Sequence, residues 1–384
     1  MDFFRGVAMF IILVAHTPGN TWANWIPARF GFSDATEIFV FCSGMASAIA
    51  FGAIFDRSGW VMGAVRVAHR VWQVYWAHIA MFFTTAMLVV MLDTSGAFER
   101  SYVGQLNLVP FFEHTKMTLV GLMTLTYVPN YFDILPMYLV ILAMIPLVMA
   151  LSRVHLGLVA MLVVAMWLAA NYDIVRLPAE PWSGREWFFN PFGWQLIFFT
   201  GFAFMRGWIP APPVRRSLLV VSAVIILATI PFAWGKLLWQ FEMLGDARKS
   251  IEFLAEKTEF GLFRYVHFLA LAYVAWVAVG PKGARLSVGT WWPKLVTVIM
   301  KVGQQSLAVF VTSMVLARLL GVLLDMFDRS IWAMVPVNLF GFVIIISTAY
   351  FVAWIKSQPW RKPAPEPQPA PRVAPVRNTS EGVV

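Results

Sequence analysis

The sequence is poor in cysteine and in charge, and both shortages limit what the protein can be. It has one cysteine, Cys42, in 384 residues, which excludes an intrachain disulfide and a cysteine-based metal site. Charged residues make up 13% of the chain, about half of the share expected in a soluble domain. Hydrophobic residues make up 60% and aromatic residues 16%. This composition predicts an all-α integral membrane protein that crosses the lipid bilayer several times.

Several functional motifs are missing as well. The chain has no glycine-rich nucleotide-binding motif and no convincing internal repeat, and its six histidines do not follow the HxxxH or HExxH spacing of zinc sites. We therefore predict no metal site and no tightly bound cofactor. The first apolar run, 3–17, lacks a basic leader and a convincing small-residue cleavage site, so we interpret it as a retained helix.

Apolar runs long enough to cross a bilayer predict about ten transmembrane helices. They cover residues 3–17, 36–55, 68–92, 134–151, 154–171, 191–207, 216–234, 264–280, 302–324 and 333–355. If the N-terminus is cytoplasmic, the cytoplasmic side holds 17 of the 29 Lys and Arg residues but only four of the 20 acidic residues. Since this agrees with the positive-inside rule, we predict that both termini are cytoplasmic. Much of the net charge of +9 then reflects topology, and nucleic-acid binding loses its support.

The chain divides into a membrane domain over 1–357 and a proline-rich tail over 358–384, which we predict to be cytoplasmic and disordered. Three connections on the outer side are long, at 93–133, 172–190 and 235–263, and they are rich in aromatic and acidic residues. They could form a carbohydrate-binding mouth or amphipathic pieces at the membrane surface, and the sequence does not choose between these.

Two polar residues interrupt the first apolar run. Arg5 and His16 are eleven residues apart, so in a helix they lie on nearly the same face, about 16 Å from each other. Ionisable residues inside a membrane are costly and usually face a polar cavity or a substrate path. His16 could act as a general base, or it could only pack between helices. Arg5 could hold an anionic group, or it could anchor the helix at the headgroups.

Asp34 and Glu37 stand three residues apart at the start of the second predicted helix, with Ser33 placed to cap it. Capping is the simpler role for these side chains. A second role is orientation of the His16 imidazole by a carboxylate on the same outer side, as in a catalytic triad.

Further polar residues enter the predicted helices from both ends. Each pair alone is more often a contact between helices than a catalytic group, but together they predict that about half of them line one cavity. They are Arg70, Gln73, His78, Gln195, Arg264, His267, Gln304 and Arg318.

The motifs resemble those of the OpgC family of membrane acyltransferases, a branch of the acyltransferase-3-like superfamily. The resemblance spans the chain up to the tail. It rests on DFFRG followed by His16, GFSDATEIFVFCSG (31–44), RVWQVYWAHI (70–79), NPFGWQ (190–195), HFLALAY (267–273) and GQQSLAVF (303–310). Arg5 and His16 have the spacing of the superfamily's Arg-x10-His signature, and FVFCSG is similar to its FFxxSG signature.

The resemblance implies an enzyme of the bacterial inner membrane that transfers succinyl groups from cytoplasmic succinyl-CoA to glucose hydroxyls of periplasmic glucans. It places Arg5 on the donor path and makes His16 the catalytic base, which Asp34 and Glu37 would assist. The residues expected to bind acyl-CoA are Arg5, Arg66, Arg70, Gln73, His78, Arg206 and Gln304. The residues expected to bind the glucan are Gln195, Lys257, Arg264, His267 and Arg318.

Other interpretations stay open at the level of sequence. Ten helices with internal charges also suit a secondary transporter, although we find no inverted repeat. A non-catalytic scaffold would leave His16 unexplained. The sequence does not distinguish succinyl from acetyl transfer, or direct attack by the hydroxyl from an acyl-histidine intermediate. A homo-oligomer is compatible with the sequence, which does not fix the number of chains.

Overall fold

The structure of the protein is a computed structural model that describes residues 1–98 and 100–361. Over these residues the chain is predominantly helical, and its only strand-like pairing is an isolated antiparallel contact between Pro178 and Glu186. The all-α prediction is therefore confirmed for the described part of the chain. Most of the predicted tail, 362–384, lies outside the described residues.

The helices follow one another in this order: α1 (Asp2–His16), α2 (Ala35–Ser47), α3 (Ala53–Thr94), α4 (Tyr102–Gln105), α5 (Val109–Glu113), α6 (Thr115–Thr124), α7 (Ile134–Val154), α8 (Leu156–Asn171), α9 (Pro191–Arg206), α10 (Arg216–Ala233), α11 (Gly235–Gln240), α12 (Glu242–Ser250), α13 (Glu252–Ala255), α14 (Leu262–Val279), α15 (Trp292–Gln304), α16 (Ser306–Met326) and α17 (Ile331–Lys356). Turns of 3-10 helix cover Thr21–Asn24, Pro27–Arg29 and Pro281–Ser287, and a π-helical turn, Ala48–Gly52, joins α2 to α3.

Each of the ten apolar runs coincides with part of a helix, but the link between the second and third runs differs from the prediction. The sequence predicts a connection over 56–67, whereas helix continues through this stretch and is broken only at Gly59. The φ of Gly59 is 83°, a left-handed conformation that glycine adopts without steric cost. One glycine therefore turns the chain where a loop of twelve residues was expected.

The segment before α16 also departs from the prediction, which placed a cytoplasmic connection there. Instead α15 is an amphipathic helix that buries Val296, Val302 and Gly303. It was missed because the prediction relied on long apolar runs, whereas the apolar side chains of α15 occupy one face only.

Within residues 1–98 and 100–361, six helices are long and apolar enough to cross a membrane. One of them is the kinked unit Ala35–Thr94, and the other five are α7, α10, α14, α16 and α17. Helices α1, α8 and α9 are shorter, with 15, 16 and 16 residues. These findings support a membrane protein. The number of ten crossings and the cytoplasmic termini stay predictions.

Helix α1 lies inside the bundle and packs against α2, α15 and α16. Its contact with α15 is close because glycines meet there: a Cβ on Gly303 would lie 1.9 Å from the carbonyl oxygen of Asp2. A Cβ on Gly6 would lie 2.0 Å from the carbonyl oxygen of Ile299. Helix α2 approaches α9 in the same way at Gly44. The contacts at Gly6 and Gly303 hold the N-terminal end of α1, and therefore Arg5, in a fixed position.

Two of the long connections that were predicted to lie on the outer side contain short helices. The stretch between α3 and α7 forms α4, α5 and α6, and the stretch between α10 and α14 forms α11, α12 and α13. Several large apolar side chains of the second stretch are exposed, among them Trp239 and Met243. Whether these helices contact sugar or the membrane surface stays a prediction.

Candidate active site

His16 is the last residue of α1, and its ring orientation is set by the helix itself. Nδ1 lies 2.8 Å from the carbonyl oxygen of Ile12. Because a carbonyl oxygen only accepts, Nδ1 carries the hydrogen of the neutral imidazole and Nε2 carries the lone pair. The side chain is partly buried. His16 therefore has the tautomer that a general base needs.

Tyr131 and Arg318 form the rest of this group. The Tyr131 ring packs edge-on against His16 with 5.5 Å between ring centroids, and the Arg318 guanidinium lies 3.9 Å from the centre of the Tyr131 ring. Arg318 also donates a hydrogen bond of 3.3 Å to the backbone carbonyl of His16. Arg318 was expected among the acceptor-binding residues, and it lies beside the expected base. Sequence reasoning missed Tyr131, whose only signal is its place in a Pro-Asn turn before α7.

Asp34 and Glu37 belong to a buried ionic cluster. Glu37 is fully buried and accepts two hydrogen bonds from Arg264, of 2.8 and 2.5 Å. Lys257 donates a hydrogen bond of 2.6 Å to Asp34 and lies 5.6 Å from the centre of the Phe189 ring. Asp34 also caps the N-terminus of α2. The Glu37 carboxylate accepts a hydrogen bond from the backbone N–H of Asp34, which completes a capping box. The cluster thus ties α2 to the segment that leads into α14.

The predicted contact between a carboxylate and the His16 imidazole is not made. Both carboxylates bind cations and backbone amides instead, and the carbonyl of Ile12 orients the ring. Asp34 and Lys257 nevertheless lie within electrostatic reach of His16. Burial alone would raise the pKa of the Asp34 carboxyl, but Lys257 and Arg264 hold this pKa well below its usual range. Asp34 is therefore ionised at neutral pH.

His267 joins the same cluster from α14 but does not face an open space. Its Nδ1 lies 2.6 Å from the Ser33 hydroxyl oxygen and receives the Ser33 backbone N–H at 3.3 Å. Its Nε2 is buried against Gly31, where a Cβ would come within 2.4 Å. His267 therefore fastens the loop before α2, and a direct contact with the acceptor would need that loop to move.

A second polar site lies at the other end of α1. A cavity of about 190 Å³ brings together three arginines, Arg5, Arg66 and Arg70. The hydroxyl-bearing residues Ser43 and Ser306 also line it. Guanidinium and hydroxyl groups donate hydrogen bonds to phosphate and carboxylate oxygens, so this lining is suited to bind an anionic group. The FVFCSG motif thus contributes a serine to this cavity in addition to the close-packed Gly44.

Two arginines of this cavity, Arg5 and Arg70, are held by neighbouring residues. Arg5 is buried, and it donates to the carbonyl of Gly303 at 3.2 Å, so it is not a lipid-facing anchor. Gln73 lies 3.3 Å from Arg70 and so positions it. Lys356, which the sequence analysis did not select, adds positive charge near Arg70 and donates to Gln305 at 2.7 Å.

Four residues expected to bind substrates lie elsewhere. Arg206 makes a two-pronged ion pair with Asp56, with hydrogen bonds of 2.7 and 3.0 Å. Gln195 joins α9 to α8 through the carbonyl of Val163. His78 is fully buried in α3, and Gln304 is exposed at the end of α15. None of these four residues lines the arginine cavity. The expected single cavity is therefore two separate groups, one at each end of α1.

A comparison with family models shows which family the chain belongs to. The family model described as OpgC protein matches residues 1–357, which is nearly the whole chain. The chain belongs to the OpgC family. This OpgC-family protein gave no match in a search of curated proteins or in a search of solved structures. Membership of the family supports an acyltransferase role in the modification of glucans.

Proposed function

We propose that this OpgC-family protein is a membrane O-acyltransferase that moves a succinyl group from succinyl-CoA to a glucose hydroxyl of a periplasmic glucan. The observation that carries the proposal is the His16 group: a neutral imidazole with its Nε2 lone pair free of the Ile12 contact, beside the cationic Arg318. A base next to a cation suits attack of a hydroxyl on a thioester carbonyl.

The chemistry follows from the tautomer. Nε2 of His16 takes the proton of the glucan hydroxyl while its oxygen attacks the thioester carbon. Arg318 stabilises the negative charge that develops on the carbonyl oxygen. The carbon–sulfur bond then breaks, and the leaving thiolate receives the proton from His16, which yields an ester and free CoA. Direct attack needs no covalent enzyme intermediate.

The arginine cavity is the proposed donor site. Acyl-CoA carries several phosphates and cannot cross a bilayer, so it binds from the cytoplasm at Arg5, Arg66 and Arg70. Its acyl arm would follow α1 towards His16. The glucan would bind from the outer side, near Lys257 and the aromatic ring of Phe189. This direction requires an inner-membrane location with both termini in the cytoplasm.

The decisive test gives the purified protein labelled succinyl-CoA or acetyl-CoA and a glucan, and mass spectrometry identifies any ester formed. We expect His16→Ala to lower turnover by about 100-fold or more. His114→Ala, which removes an exposed histidine, serves as the matched control and should leave turnover unchanged. Near-normal turnover of a folded His16→Ala variant would refute His16 as the base. Glucan accumulation in proteoliposomes without any covalent change would favour a transporter.

The orientation can be tested separately, because Cys42 is the only cysteine. In a Cys42→Ser background, a cysteine placed at the exposed Gly184 should react with an impermeant maleimide on intact spheroplasts. A cysteine at the exposed Ala211 should react only after the membrane is opened. The opposite pattern would reverse the proposed direction of transfer.

A further inference from the structure

Tyr131 contacts both groups of the proposed reaction centre. Its ring packs edge-on with the His16 imidazole, and the Arg318 guanidinium lies 3.9 Å from the centre of the ring. Its hydroxyl donates a short hydrogen bond to the carbonyl of Met314, one turn before Arg318 on α16. One side chain from the loop before α7 therefore contacts both α1 and α16.

The backbone of Tyr131 is strained. Its φ is 86°, in the left-handed region that residues with a side chain rarely adopt. The next residue, Phe132, is fully buried and packs against Phe82. Such strain persists only where surrounding contacts fix the chain, and it is concentrated at functional sites. A glycine at position 131 would relieve the backbone strain, but it would lack the aromatic ring. The presence of tyrosine despite the strain therefore indicates that the ring is needed at this position.

We infer that Tyr131 is a positioning residue that sets the distance between the base His16 and the cation Arg318. The inference rests on the proposed function, since it assigns no separate activity. The ring contacts both side chains, so a displacement of the ring would remove a packing contact from each of them. A cation above an aromatic face is attracted to it, which also fixes the Arg318 guanidinium. A hydroxyl and a thioester carbonyl then meet two groups with a fixed separation.

The test compares variants of Tyr131 with a variant of Phe111, a buried aromatic residue of α5. Tyr131→Leu removes the ring and should lower kcat by about tenfold or more, with the KM values for donor and glucan little changed. Tyr131→Phe keeps the ring and should retain most of kcat. Phe111→Leu removes a buried ring that packs against Phe82 instead of Tyr131, so it should lower the thermal midpoint while kcat stays close to normal.

A second pair of variants keeps the test valid if Tyr131→Leu folds poorly. Tyr131→Gly and Tyr131→Ala both lack the ring, but only glycine relieves the strain at a φ of 86°. We expect Tyr131→Gly to be the more stable of the two, with kcat equally low in both. If kcat instead recovered along with stability in Tyr131→Gly, the role of Tyr131 would be structural and the inference would fail.

Three outcomes distinguish a failure of this inference from a failure of the proposed function. If His16→Ala loses turnover while folded Tyr131→Leu has normal kcat, only the positioning role is refuted. Equal losses of kcat in Tyr131→Phe and Tyr131→Leu would also refute it, since the ring would then not be what matters. If His16→Ala keeps its turnover, the proposed base is wrong and the positioning role fails with it.

Discussion

Glu37 and Arg264 are 227 residues apart in the chain, yet they form a buried ion pair with two hydrogen bonds, of 2.8 and 2.5 Å. The Glu37 side chain is fully buried, and the Arg264 side chain is 9% exposed. Removing one partner would leave the other charge buried without compensation. The pair therefore joins α2 to α14 beside the reaction centre, and its disruption should be costly.

We predict that Glu37→Met or Arg264→Met lowers the free energy of unfolding by about 3–5 kcal/mol. The double variant should lose less than either single variant, because no buried charge is left unpaired at this position. The pair Asp56 and Arg206 is a matched control: the Asp56 side chain is 57% exposed, so breaking that pair should cost about 1 kcal/mol or less. Denaturant unfolding of the four forms in detergent measures the coupling, and additive single losses would contradict it.

Substitution of an arginine that lines the arginine cavity should weaken the binding of the acyl donor and leave the binding of the glucan unchanged. Arg66→Ala and Arg70→Ala should each raise the KM for acyl-CoA about tenfold, because each removes a charge-assisted hydrogen bond. The KM for the glucan and the thermal midpoint should stay close to those of the natural protein. Arg57→Ala removes an exposed arginine that does not line the cavity and should have no effect. An unchanged KM for acyl-CoA in both cavity variants would place the donor elsewhere.

The contact between α1 and α15 leaves no room for a side chain at Gly303. Gly303→Ala would place a Cβ 1.9 Å from the carbonyl oxygen of Asp2, so α1 must shift. We expect a loss of about 1–3 kcal/mol in stability and a lower turnover, since α1 carries Arg5 and His16. Gly245→Ala in α12 is the control, because its Cβ would meet only one atom, at 3.6 Å. Equal thermal midpoints for the two variants would show that the contact is looser than described.

The burial of Glu259 should make the free energy of unfolding depend on pH. Burial raises the pKa of its carboxyl to about 7, and its Oε2 atom has no hydrogen-bond partner among the described residues. The unfolded chain titrates near pH 4.3, so the folded protein binds more protons between about pH 4.3 and 7. This contribution to stability is therefore complete below that window and is lost as the pH rises through it.

Glu259→Gln, which imitates the protonated carboxyl, should remove this dependence. We expect its thermal midpoint to exceed that of the natural protein at pH 8 and to match it near pH 4. Glu252→Gln changes an exposed carboxylate of α13 and serves as the control. A Glu259→Gln variant that is less stable at pH 8 would show that the ionised carboxylate is needed.

Local sequence patterns, namely hydrophobic runs and capping residues, were sufficient to predict part of the fold. Hydrophobic runs located the ten long helical segments, and capping was correctly predicted as a role of Asp34 and Glu37. The prediction that Ser33 is the N-cap was wrong: Asp34 is the N-cap of α2, and the Ser33 hydroxyl contacts His267 instead. The same rules missed α15, whose apolar side chains cover one face only. They also predicted a loop over 56–67 where the structure has a helix broken only at Gly59, because a single residue with a positive φ leaves no periodic signal in the sequence.

The partners of the polar residues could not be read in this way. Arg66 and Arg206 look alike in sequence, but one lines the arginine cavity and the other pairs with Asp56. Tyr131 has no motif at all, and its role follows only from contacts with residues more than 100 positions away, His16 and Arg318. Such contacts depend on how helices distant in the chain pack together.

The sequence by itself determined the all-helical class and the placement of Arg5 and His16 on one face of α1, because these depend on composition and on the 3.6-residue period of a helix. The resemblance of its motifs indicated the family. Only the tertiary structure decided that these residues belong to two separate polar groups. The close contacts of α1 with α15, and of α2 with α9, fix which side chains meet. The tautomer of His16, finally, depends on a single carbonyl oxygen, that of Ile12.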